Sequence, residues 1–127
     1  MRKVFIPIID ARMNMNIIEF IEKYDIAIAV KVDIKNKRFE IIKRDVELES
    51  YDLFEQLILF GNVDSIVANV EGMILPRIWT QGDSKCVLCK KSKEQIIALF
   101  YDKRMDAKEH FFYAKQLDTI MNSNIEW

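Results

Sequence analysis

The chain predicts an α+β fold: a single five-stranded, mostly antiparallel sheet with a long middle helix and terminal helices, in the order α-β-β-α-β-β-β-α. Three observations carry this. The stretch "IAIAVKVDI" alternates with a period of two, Ile26, Ile28, Val30, Val32 and Ile34 sharing one parity and Ala27, Ala29, Lys31 and Asp33 the other. That is the pattern of a half-buried strand. Apolar residues at helical spacing recur before it, in the middle of the chain and near the end. Between the last two lie three short β-rich runs separated by turn residues, "GDSK" and "SKE", so hairpins join these strands.

The chain begins "MRKVFIPIIDARM". Val4 to Ile9 reads as extended, and Pro7 confines it to a sheet edge. Residues 1–12 are expected to add an edge strand or arm to a single domain covering 1–127. The apolar run is too short for a signal peptide, and no stretch approaches the length of a transmembrane helix. Ile17, Ile18, Ile21 and Tyr24 then mark a helix of about two turns, with Asn16 placed to cap it and Glu19 to reach back. After the alternating strand, "KNK" turns the chain, with Asn36 suited to positive φ, and "RFEII" returns as the hairpin partner.

From Ser50 the period becomes helical, through Leu53, Phe54, Leu57, Ile58 and Phe60. The apolar set then rotates, with Gly61-Asn62 at the shift. Either the helix stops there or it continues to about Val70, covered on two sides; the continuous helix is the preferred reading. In it, Phe60, Val63, Val67 and Val70 lie on the sheet. Phe54, Ile58, Gly61, Ser65 and Ala68 form a second stripe, small enough in places for another helix to come close. Three strands follow, "ILPRIWTQ", "CVLCKK" and "QIIALFY"; the last is apolar on both parities and therefore central. From Asp106 a helix returns, with Ala107, Phe111, Ala114, Leu117 and Met121 on one face and Lys108, Lys115, Gln116 and Thr119 facing water.

With 127 residues, 50% of them apolar, three glycines and two prolines, the chain fits one ordered domain. Nineteen basic against twenty acidic residues leave a net charge of −1, which predicts neither nucleic-acid binding nor membrane insertion. Two cysteines without a disulfide framework point to the cytoplasm.

Explicit chemistry is sparse. Cys86 and Cys89 stand in C-x-x-C spacing within "SKCVLCKKSKE". On a strand, residues three apart face opposite sides, zinc would want four ligands, and a redox pair would want a helix N-terminus. Both are read as strand residues. His110, the single histidine, falls on the apolar face of the last helix and reads as structural. No phosphate-binding glycine loop occurs, and the acidic "DVELES" is a polar approach to a helix. Phe112, off the apolar stripe beside Phe111 and Tyr113, is a candidate contact residue. No catalytic residue, metal site or cofactor is expected.

The order of elements resembles the roadblock/dynein light chain family of the longin- and profilin-like group. The resemblance spans roughly 17–121. It rests on "IIEFIEKYDIAIAVKVDIKNKRFEII" as first helix and hairpin and "YDLFEQLILFGNVDSIVANVEG" as middle helix. The three-strand run "MILPRIWTQGDSKCVLCKKSKEQIIALFYDK" and "DAKEHFFYAKQLDTIM" as closing helix complete it. It implies a non-enzymatic module that homodimerises by pairing its middle helices and joining strands edge to edge. The pairing surface would then include Phe54, Ile58, Gly61, Ser65 and Ala68, and the joining edge Ile74, Leu75, Ile78 and Trp79. A Ras-like small GTPase would be the regulated or scaffolded partner. Three other functions fit the residues: a small-molecule sensor with a pocket near Phe100, Trp79 and Phe111, an enzyme using Cys86 or Cys89, and a single-partner inhibitor of the immunity-protein type.

Overall fold

A computed structural model of the chain describes residues 15–123 and 125–127. The Val4–Ile9 segment and the arm expected at 1–12 lie outside the described residues.

Five strands form the main sheet: β2 (Ile28–Asp33), β3 (Arg38–Lys43), β4 (Arg77–Gln81), β5 (Ser84–Ser92) and β6 (Gln95–Asp102). Their spatial order is β3-β2-β6-β5-β4, and every neighbouring pair is antiparallel. β6 is the middle strand, as its double-sided apolar sequence requires. A separate parallel pair joins β1 (Met15–Asn16) to β7 (Ile125–Glu126). The fold class and the five-stranded antiparallel sheet are those the sequence predicts; the β1–β7 pair is additional, and the middle helix is divided.

Each face of the sheet carries its own helical layer. Helices α1 (Ile17–Lys23) and α4 (Ala107–Met121) bury Phe20, Ile21, Leu117 and Met121 against Ala29, Val87, Cys89, Ile97 and Leu99. On the other face Phe54, Ile58, Val63 and Ile66 meet Val30, Val32, Leu88, Ala98 and Phe100. The first half of β2 is thus covered on both sides, Ala29 in the α1–α4 layer and Ile28 and Val30 in the other, while Lys31 and Asp33 are half-buried. At about 25 cal/mol per Å² of apolar area, these two layers supply most of the driving force for folding.

Local signals set the helix starts. Glu19 N–H donates to Asn16 Oδ1 at 2.8 Å, and Asn16 N–H donates back to Glu19 Oε1 at 3.1 Å, a reciprocal capping box. Asp106 and Glu109 repeat it on α4 at 2.8 and 3.2 Å. Two details differ from expectation. In the hairpin turn, positive φ falls on Lys37 at 54°, because Asn36 is held by Asp33 through Nδ2 and backbone N–H at 2.8 and 3.1 Å. On α4 the buried line is His110, Ala114, Leu117 and Met121, while Phe111 is 48% exposed. His110 takes the inward slot at the first turn because its ring pairs with Tyr101.

The unbroken middle helix is corrected. Helix α2 (Asp52–Phe54) passes into a wide turn, Glu55–Leu59, closed by the Phe60 N–H on Glu55 O at 2.7 Å. The chain then bends by 110° into α3 (Val63–Val70). The cause is Gly61-Asn62. A side chain at Gly61 would press on the Leu57 and Gln56 carbonyls, so only glycine fits. Asn62 opens the next helix by accepting from Ser65 N–H at 2.8 Å, with Ser65 Oγ accepting from Asn62 N–H at 3.1 Å. The shift in apolar phase at Gly61 is a corner in the chain.

Candidate interaction surface

The corner redistributes the expected pairing stripe. Phe54 and Ile58 are 4% and 3% exposed and belong to the protomer's own core. Phe54 packs edge-to-face on Phe100 with ring centroids 5.3 Å apart. Gly61 is half-buried inside the bend; Ser65 and Ala68 are exposed on α3. Phe60, expected on the sheet, is 81% exposed because the helix ends on it.

The expected edge group divides, with Ile78 and Trp79 on β4 and Ile74 and Leu75 ahead of it. β4 bonds to β5 on one side, and no strand pairs with its other side among the described residues. Ile74 leads into it at 91% exposure. Leu75 is half-buried, Ile78 packs on the α1–α4 layer, and Trp79 packs on the α2–α3 layer. Sequence reasoning missed Leu59, Met73 and Arg77. Leu59 and Met73 are exposed apolar side chains flanking the bend and the approach to β4. The Arg77 guanidinium lies 5.3 Å from the Trp79 ring centre, its Nη1 2.9 Å from Met73 Sδ. Its Nε is buried with no hydrogen-bond partner among the described residues, a cost that an incoming acceptor would remove. The alternation of Arg77 with Trp79 beside an exposed Met was the available signal.

The reactive side chains are interior. Cys86 and Cys89 are free, fully buried, and belong to opposite faces of the sheet. Burial pushes both thiols up, away from the thiolate form. Tyr101 Oη and His110 Nε2 sit 2.6 Å apart in the α1–α4 layer. Burial raises the tyrosine and lowers the histidine, with nearby Lys85 adding to the latter. The phenol therefore keeps its proton and the imidazole stays neutral, a sealed structural pair. No group of three or more metal-ligating side chains occurs among the described residues. "DVELES" is tied to the sheet: Glu49 N–H donates to Asp102 Oδ2 at 2.7 Å and Ser50 N–H to Ser84 Oγ at 3.0 Å.

The His110 shift has a pH consequence. The unfolded state binds more protons once pH falls below the ordinary histidine value, so stability is intact above about 6.5 and declines as pH drops toward the lowered native value. Urea midpoints measured between pH 7.5 and 5.5 should fall, and the His110→Phe variant should show a flatter profile. A slope unchanged by that substitution would place the titration elsewhere.

Phe100, Trp79 and Phe111, around which a sensor pocket was expected, do not converge. Phe54 fills the space over Phe100, and Phe111 lies on the opposite layer. A cavity of about 480 Å³ opens elsewhere, between the segment before β4, the β5–β6 hairpin and the end of α4. No single described helix is long and apolar enough to cross a membrane.

The described residues define an α+β domain built on a five-stranded antiparallel sheet, with a separate two-stranded pair and β4 at one edge. No family model matches the chain, and no curated protein matches it in sequence. Among solved structures it is similar to Myxococcus xanthus MglB, with TM-score 0.48 and 6% identity, over 90% of this chain and 94% of that one.

Proposed function

We propose that the protein is a non-enzymatic interaction module that pairs with a second copy through the β4 edge and the exposed flank of the α2–α3 bend. In that form it regulates or scaffolds a Ras-like small GTPase in the cytoplasm. The observation that carries the pairing is exposed apolar surface: Ile74, just ahead of a strand unpaired on its outer edge among the described residues, is 91% exposed, and Phe60 at the bend is 81% exposed. Large exposed apolar groups mark interaction sites, and an uncovered sheet edge invites another strand. The GTPase rests on the roadblock resemblance, which implies that partner class.

Sedimentation velocity at tens of micromolar tests the pairing. A dimer is expected, and Ile74→Asp with Phe60→Asp should weaken it by tenfold or more, about 1.4 kcal/mol, while leaving the protomer's melting nearly unchanged. A wild-type monomer at that concentration would remove the reading. The partner is tested by nucleotide turnover of the host cell's Ras-like GTPases with and without the protein; no change for any of them would remove that half.

A further inference from the structure

Strand β5 runs to Ser92, but β4 accompanies it only as far as Leu88, opposite Arg77. Beyond that point no strand lies beside the outer edge of β5 among the described residues. The Lys90 N–H points into the gap and donates to Asp118 Oδ1 of α4 at 3.2 Å. In an antiparallel strand the N–H and C=O of one residue face the same side, so Lys90 presents a donor and an acceptor there. The chain from Met73 to Leu75 stands off from β5, and the 480 Å³ cavity lies between them. Its floor is Ile34, Val70, Leu75 and Ile96; Lys90 and Lys93 form its rim.

We propose that this cleft docks an extended peptide segment of a partner protein in which apolar residues alternate with acidic ones. Three features select that occupant. A free backbone edge is satisfied by another backbone, which is how sheets recruit peptide strands. The apolar floor on one side takes alternate side chains, since successive residues of a strand point oppositely. The exposed Lys90 and Lys93 have no ion-pair partner among the described residues, so they favour carboxylates on the incoming strand. Lys91 is already committed, its ammonium donating to the Met121 and Ile125 carbonyls at 3.3 and 2.8 Å. Asp118 stands in for the absent strand in the free protein. Burial disfavours its charge, so a neutral peptide carbonyl is a fitting replacement for the Lys90 N–H. The volume lies within the ~300–1,000 Å³ of ordinary ligand pockets. The site does not rest on the GTPase reading, and Ile74, which lines one wall, is shared with the proposed pairing surface.

The test is selection of a random dodecapeptide display library on the full chain, followed by anisotropy measurements with the selected peptides. Sequences alternating apolar with acidic residues are expected, with affinity falling at least tenfold in the Lys90→Glu/Lys93→Glu variant. The backbone amides of Lys90 and Ser92 should shift on titration while sedimentation of the protein alone is unaltered by the variant. An empty selection, binding that survives the variant, or amide shifts confined to other regions would each overturn the proposal. So would displacement of the peptides by dodecanoate at equal affinity, which would assign the cleft to aliphatic anions.

Discussion

Phe54→Ala is expected to lower the unfolding free energy by about 3–5 kcal/mol, read as a large drop in the urea midpoint. The ring is 4% exposed and meets Phe100 edge-to-face at 5.3 Å. Ile58 and Ile66 are buried in the same layer, so truncation leaves a hole that rigid strands beneath cannot close. Domains of this size are stable by only about 5–15 kcal/mol, so the variant should sit near its threshold. If Phe54 instead served a partner's helix, its loss would change association and leave the isolated protomer's stability alone. Measuring the substitution in the Ile74→Asp background separates the two. A loss below about 1 kcal/mol there would mean that the ring is not a core element.

The second large effect is a matter of sign. In the interior of a continuous helix, Gly61→Ala would stabilise by up to about 1 kcal/mol through propensity alone. In the bent chain, the new methyl would lie against the backbone carbonyls of Leu57 and Gln56, which cannot rotate away. The expected result is a destabilisation of about 3 kcal/mol, at the upper end for an overpacked site. Gly72 supplies the control. It has φ of 75° with open space around it, so Gly72→Ala should cost only the left-handed penalty of about 1–2 kcal/mol. Stabilisation by Gly61→Ala would restore the continuous helix.

Much of the fold was legible because its determinants are local. Asn16 with Glu19 fixed the first helix, the period-two run fixed β2, and the double-sided "QIIALFY" fixed the central strand. The start of the edge strand was less legible: Ile74 and Leu75 precede Pro76 and lie outside β4, which begins at Arg77. The middle of the chain was harder, since Gly61-Asn62 carries two meanings. It suits close packing of a second helix, and it equally suits a stop followed by a cap; a one-dimensional pattern weighs both alike. The corner then moved Phe54 and Ile58 inward and Phe60 outward. On α4, the hydrogen bond between Tyr101 and His110 gives His110 the inward place at the first turn and leaves Phe111 outside, while Ala114, Leu117 and Met121 stay as expected. The cleft beside Lys90 was beyond the sequence, because it arises from two paired strands of unequal length.

The placement of the two sulfurs has one further consequence. Cys86 and Cys89 stand back to back, each sealed beneath a different leaf of the sandwich. The molecule therefore carries a separate gauge for each half: uptake of a thiol reagent at one sulfur before the other would tell which leaf lifts first.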